Sequence, residues 1–317
     1  MQTIFDLCQP RADVLEGRIR DEEFAADLSR VVNKTASPEY ANPSIFFKYT
    51  YPTRGLKTLL ETICRRLSGV GGELNSVIRL DTQYGGGKTH SLIALVHAVR
   101  GLQGVANASE FLDPGLLPNS NVRVAALDGE NADPANGLKL EDGLYAHSIW
   151  GQMAYQLAGR QGFERIRRSD EEHIAPGAET IIELFGGEPT LILIDEISVY
   201  LRKVAKVFPE ATDQFTAFMQ ALIKAVSSTP GAALVCTLAI RAKDQEAADA
   251  YKAEHQVAVT AFEEAESIVS RKLLQLDPTE EDETINVLRR RLFETVDTQG
   301  AEPIISEGCG SFETTLP

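Results

Sequence analysis

The chain has 317 residues, with 46 acidic and 31 basic side chains and a formal charge of −15. Apolar residues make up 43% and charged residues 24%, an ordinary balance for a soluble globular protein with room for a full α/β core. The acidic excess argues against a general phosphate-backbone binder, so DNA contact is not supported by charge.

Cys8, Cys64, Cys236 and Cys309 form no C-x-x-C pair, and their spacings suit neither a disulfide framework nor a zinc site; reduced thiols in a cytoplasmic protein are expected. The opening MQTIFDLCQPRADVL lacks a basic stretch followed by an apolar run, so no signal peptide is expected, and no apolar run approaches the length of a membrane span.

In chain order, DEEFAADLSRVVN (21–33) reads as an amphipathic helix capped by Asp21, with Phe24, Leu28 and Val31 on one face. TASPEYANPSIFFKYTYPTRG reads as an ordered loop, and LKTLLETICRRLSG as a second helix closed by Gly69. NSVIRL is a first core strand running into three glycines, after which Leu92, Ile93, Leu95, Val96 and Val99 fall at helical spacing. NVRVAALDG is a second strand, LYAHSIWGQMAYQLAG a helix and AETIIELFGG a short helix ended by a glycine pair. PTLILIDEIS is apolar on both faces, as a central parallel strand requires. A helix (TDQFTAFMQALIKAVSS), a buried strand (GAALVCTLAI) and a long Ala- and Glu-rich helical stretch from Arg241 to Arg271 follow. KLLQLDP is a last strand and EEDETINVLRRRLFE a last helix; the remainder has no periodicity. Strands alternating with helices predict an α/β fold with a mostly parallel central sheet covered on both sides.

The stretch YGGGKTH carries the chemistry. Gly87, Lys88 and Thr89 match the end of the phosphate-loop pattern G-x-x-x-x-G-K-[ST], while Thr82 stands where its first glycine belongs. Gly85 and Gly86 can supply the missing backbone freedom. Such a loop turns its amides inward around a polyphosphate at the positive end of a helix, with Lys88 reaching the phosphates and Thr89 holding Mg²⁺. The plain alternative is a glycine turn with an incidental Lys-Thr.

LILIDE then places Asp195 and Glu196 at the end of a buried strand, where ligands of open α/β sheets bind. Asp195 suits the Mg²⁺ shell, and Glu196 suits the role of base for an attacking water. Thr237 in ALVCTLAI is a polar residue near a strand end, either a core threonine bonded to backbone or a sensor of the terminal phosphate. His90 and His97 share a helix face but have no third ligand for a metal. Trp150 reads as a core or groove aromatic.

The order of these motifs resembles that of AAA+ ATPases, a resemblance that implies a P-loop three-layer sandwich. In that superfamily an arginine before the last core strand serves a neighbouring subunit's γ-phosphate. Arg271 occupies the matching place, with a solvated arginine at a helix end as the alternative.

A closer resemblance covers nearly the whole chain. PRADVLEG, EEFAADL, FFKYTYPTRGLKTLL, YGGGKTHSLIALVH and IWGQMAYQL are similar to the amino-terminal part of the prokaryotic domain-of-unknown-function family four-nine-nine. That resemblance implies a phage-defence or DNA-modification ATPase using ATP and Mg²⁺, in a homo-oligomer or multi-protein complex without membrane contact. It makes Tyr84, Gly85, Gly86, Gly87, Lys88, Thr89 and His90 the nucleotide loop, with the Thr82 departure expected. Residues 1–70 would be a family-specific helical segment, 71–280 the ATPase core, and 281–317 the start of a lid and an irregular tail. Members are much longer than 317 residues, so a truncated lid is expected. A nucleotide-gated scaffold with negligible hydrolysis is the rival reading; a small-molecule kinase would need an acceptor pocket and lid arginines, for which only Arg289, Arg290 and Arg291 offer themselves.

Overall fold

A computed structural model describes residues 7–16, 26–70, 74–82, 87–239, 256–264 and 273–300. The amino-terminal part contains strand β1 (Cys8–Pro10) and helices α1 (Leu28–Val32), α2 (Pro43–Lys48) and α3 (Arg54–Ser68). Strand β2 (Val77–Thr82), helix α4 (Lys88–Arg100) and strand β3 (Arg123–Asp128) follow, then a small hairpin of β4 (Leu138–Lys139) and β5 (Tyr145–Ala146). Next come helices α5 (Ile149–Glu171) and α6 (Ala178–Phe185), strand β6 (Thr190–Asp195), helices α7 (Ile197–Ala205) and α8 (Ala211–Ser228) and strand β7 (Ala232–Ala239). Strand β8 (Leu273–Leu276), helix α9 (Thr284–Leu292) and strand β9 (Phe293–Val296) close the described chain.

Five strands form one parallel sheet in the order β3-β6-β7-β2-β8. The apolar runs explain its placement. All six residues of β6 are buried, and their alternation divides them between two cores. Ile192 and Ile194 pack with Met153 of α5, Phe185 of α6 and Phe218 of α8. Leu191 and Leu193 pack on the other face with Ile63 of α3 and Leu95 of α4. Helices therefore cover both faces, as the uninterrupted apolar strands predicted. Trp150 is a core residue, 5.5 Å from the Phe218 ring, and its indole N–H donates to Ser169 O at 3.1 Å.

Several boundaries differ from expectation. The stretch expected to be an ordered loop holds two helical turns, Pro38–Ala41 and α2. Each begins with proline, whose fixed φ suits the first helical position, and Asn42 Oδ1 caps α2 by accepting from Ser44 N and Ile45 N. Asp27 caps α1 by accepting from Arg30 N; the expected cap Asp21 lies outside the described residues. Tyr145 and Ala146 pair with the β4 strand instead of starting α5, which Ser148 caps. Of the long Ala- and Glu-rich stretch, 256–264 are described and helical.

The end of the described chain returns to its beginning. β9 pairs antiparallel with β1. Arg11, 5% exposed, bonds Asp13, Glu39 and Arg291 O and lies 3.8 Å over the Tyr49 ring. Arg54 pairs with Glu280 and Asp282, and Thr53 Oγ1 donates to Pro278 O at 2.6 Å. Gly55 permits this closure, because a Cβ there would stand 2.0 Å from Asp277 O. Cys8, Cys64 and Cys236 are free, and burial pushes the Cys64 thiol up to about 12.

Candidate nucleotide site

The site is built at the carboxyl edge of the parallel sheet. Gly87 precedes α4 with φ 77° and ψ 17°, the left-handed region that a residue with a Cβ rarely enters. Its turn starts α4 at Lys88, which is 7% exposed. Burial lowers the Lys88 pKa, and the carboxylates of Glu196, Asp195, Asp277 and Asp81 oppose that shift.

Thr89 Oγ1 donates to Asp195 Oδ2 at 2.7 Å. On the other carboxylate oxygen, Asp195 Oδ1 accepts from Thr237 Oγ1 and, at 3.1 Å, from Glu196 N. Glu196 N also reaches Thr237 Oγ1 at 3.2 Å. Strand β7 lies between β2 and β6 in the sheet, which is why its Thr237 can touch the last residue of β6. Burial raises the Asp195 pKa against the lowering effect of both threonine hydroxyls.

Glu196 has φ 51° and ψ 46°, an uncommon left-handed conformation for a non-glycine residue. It turns the chain directly from β6 into α7. The opposite wall is Gly129, whose N–H donates to Asp195 O at 3.0 Å. A Cβ on Gly129 would stand 2.2 Å from Glu196 O, so this position requires glycine. Burial raises the Glu196 carboxyl, Asp195 raises it further, and Lys88 pulls it down.

The rest of the edge carries a signal that is already present in the sequence. Four of the five parallel strands run into aspartate after an aliphatic residue: Leu80-Asp81, Leu127-Asp128, Ile194-Asp195 and Leu276-Asp277. Asp128 is in register with Asp195. Asp81 is 6% exposed; its Oδ2 pairs with Arg79 at 2.7 Å, while Oδ1 has no hydrogen-bond partner among the described residues.

The donor set fits Mg²⁺. Thr89 and Asp195 offer hard oxygens side by side, and among the described residues no three His, Cys, Asp or Glu side chains form a metal cage. Such a pair suits an ion that keeps waters and shares phosphate oxygens. The structure thus gathers Lys88, Thr89, Asp195, Glu196 and Thr237. Tyr84, Gly85, Gly86 and Arg271 lie outside the described residues.

His90 is held on the amino-terminal side. Its ring stacks on Phe46 at 4.3 Å, and Nε2 lies 2.8 Å from Thr50 Oγ1. The Thr50 hydroxyl spends its proton on Phe46 O at 2.7 Å, so His90 Nε2–H is the donor to Thr50. Burial, with Arg291 and His97 nearby, lowers the His90 pKa to about 3. His97 Nε2 lies 2.8 Å from Tyr40 O.

Fold and site define an α/β protein whose five-stranded parallel sheet carries a glycine–Lys–Thr turn and an Asp–Glu strand end at one edge. The chain belongs to the DUF499 family: the model of the DUF499 N-terminal domain matches residues 5–272. No curated protein matches it. No helix among the described residues is long and apolar enough to cross a membrane.

Proposed function

We propose that this edge binds ATP with Mg²⁺ and hydrolyses it, and that the chain is an AAA+-type P-loop module of a phage-defence or DNA-modification system in the cytoplasm. The observation that carries the reading is the Thr89–Asp195 hydrogen bond with Lys88 and Glu196 beside it. Charge supports the cation. One buried lysine faces Asp81, Asp195, Glu196 and Asp277, so a bare polyphosphate would meet net repulsion.

In this reading Lys88 takes the β- and γ-phosphates, while Thr89 and Asp195 hold the metal. Bound Mg²⁺ neutralises charge gathering on the phosphate oxygens. Glu196 receives the proton of the attacking water. Thr237 fixes the Asp195 carboxylate and the Glu196 backbone together, which serves a sensing role as well as a structural one. Arg271 stays the proposed contact to a neighbouring subunit in an oligomer.

The rival, a nucleotide-gated scaffold with negligible hydrolysis, draws support from the position of Thr279. A Cβ on Gly87 would stand 3.5 Å from Thr279 Oγ1, and the same turn is bonded to Thr53. Loop movement would thus reach the joined chain ends. Isothermal titration of ATP·Mg²⁺ into the parent and Lys88→Ala tests binding; unchanged affinity in the variant defeats both readings. Phosphate release from the parent separates them.

A further inference from the structure

His90 and His97 stand seven positions apart on α4, two helical turns, so they share one face. That face lies against the amino-terminal segment. Phe46 of α2 sits between the two imidazoles, its ring centroid 4.3 Å from that of His90 and 5.2 Å from that of His97. His97 Nε2 donates to Tyr40 O at 2.8 Å. His90 Nε2 donates to Thr50 Oγ1, also at 2.8 Å, and the buried Thr50 hydroxyl passes its own proton to Phe46 O.

The place of His90 in the chain gives this contact its interest. Thr89 is the preceding residue, turned by about 100° around the helix axis. Thr89 Oγ1 therefore reaches Asp195 on β6 at 2.7 Å while the next side chain reaches Thr50. Two neighbouring residues tie the first turn of α4 to two different layers.

That turn needs such ties. The N–H groups of a first helical turn have no partners within the helix. Here the turn also follows Gly87, which has no Cβ to stiffen its left-handed backbone. Ser91 N and Ser91 Oγ both bond Gly87 O at 2.9 Å, which closes the turn on itself without aiming it. The direction of the turn depends on what its side chains grip, and His90 grips the amino-terminal segment.

We infer that His90 is a positioning residue: its hydrogen bond to Thr50 fixes the first turn of α4 so that the Thr89 hydroxyl faces Asp195 and can serve a divalent cation. The part that concerns the cation rests on the reading of this edge as an ATP·Mg²⁺ site. The part that concerns the orientation of Thr89 rests on the hydrogen bonds alone. If His90 only filled space beside Phe46, loss of its acceptor would lower stability and leave the demand for Mg²⁺ unmoved.

Thr50→Val keeps the side chain's shape and removes the acceptor, whereas Thr50→Ser keeps the acceptor. Isothermal titration of ATP across free Mg²⁺ concentrations, well below each protein's melting temperature, gives the Mg²⁺ midpoint of binding. Thr50→Val is expected to raise that midpoint by about tenfold, the lower end of the cost of losing support behind a metal ligand. Thr50→Ser should stay near the parent. His90→Phe keeps the stack on Phe46 and loses the donor; it should repeat the valine result, and it carries the test if the valine variant does not fold. Three-bond couplings of the Thr89 methyl group, measured without nucleotide, report its orientation separately. One rotamer is expected in the parent and in Thr50→Ser. Averaging is expected in Thr50→Val, because a slipped turn loses the bond to Asp195. If the parent binds no ATP·Mg²⁺, the nucleotide reading falls, and the couplings alone decide the positioning. A folded Thr50→Val or His90→Phe protein that matches the parent in Mg²⁺ midpoint or in Thr89 rotamer overturns the inference.

Discussion

Thr89 of α4 and Asp195 of β6 are 106 positions apart in sequence, yet Thr89 Oγ1 donates to Asp195 Oδ2 at 2.7 Å. Each has a sequence neighbour that supplies a further group, Lys88 before Thr89 in α4 and Glu196 after Asp195 at the end of β6. The contact holds a hydroxyl and a carboxylate together at the sheet edge.

Asp195 is 2% exposed and accepts three hydrogen bonds, and its pKa is raised by burial. A raised folded-state carboxyl means that the native protein binds the proton more tightly than the unfolded chain. The penalty for ionising it therefore grows as pH rises from the ordinary value of 3.8 through the raised folded-state value. Asp195→Asn removes that penalty. It should melt higher than the parent at pH 7, by about 2–4 °C for each ~1 kcal/mol gained, with the difference shrinking as pH falls towards 3.8. Calorimetry across pH measures this, and Mg²⁺-dependent ATP affinity should fall in the same variant.

Glu196→Gln should retain ATP·Mg²⁺ binding while slowing hydrolysis by about 10²–10⁴, the contribution of a general base. The parent supplies a second signature. Because burial and Asp195 raise the Glu196 carboxyl, the acid limb of its rate profile should lie above the ordinary 4.5, with activity lost as pH falls through it. A limb at or below 4.5 would show that Glu196 is not the titrating base.

Gly129→Ala tests the strand-end geometry without touching a charged group. The added Cβ would overlap Glu196 O at 2.2 Å and Tyr200 N at 2.9 Å, both backbone atoms. Relief requires moving Glu196, so stability should fall by about 1–3 kcal/mol and phosphate release should drop while Lys88-dependent ATP binding survives. Denaturant titration and a steady-state assay read the two effects.

His90 is neutral in the fold, with its pKa lowered to about 3 against an ordinary 6.5. The unfolded chain takes up the proton first, so this histidine's contribution is intact above 6.5 and is lost progressively as pH falls towards about 3. His90→Gln should flatten that part of the stability profile relative to the parent. Thr50→Val, which leaves the Nε2–H without its acceptor, should cost about 1–3 kcal/mol. Unfolding curves between pH 4 and 7 (an assay window of roughly that width) compare all three proteins.

The sequence alone determined the elements that rest on local pattern. The unbroken apolar run at Leu191–Ile194 demanded a strand buried on both faces, and Gly69 ended α3 in a left-handed cap because no side chain resists that turn there. It also marked Lys88, Thr89, Asp195 and Glu196 by residue type and order. What it left open depended on neighbours distant in the chain. The strand order placed β7 between β2 and β6, and only that order carries Thr237 to Asp195. The four strand-end aspartates are visible as letters, but their meeting on one edge is a property of parallel pairing and register. Likewise, nothing in the pattern around His90 says that Thr50 accepts from it or that Phe46 stacks on it. Nor do the letters at the two chain ends specify that β1 pairs with β9. Those contacts join segments far apart in sequence, and their geometry exists only once the sheet and its two helical layers have closed.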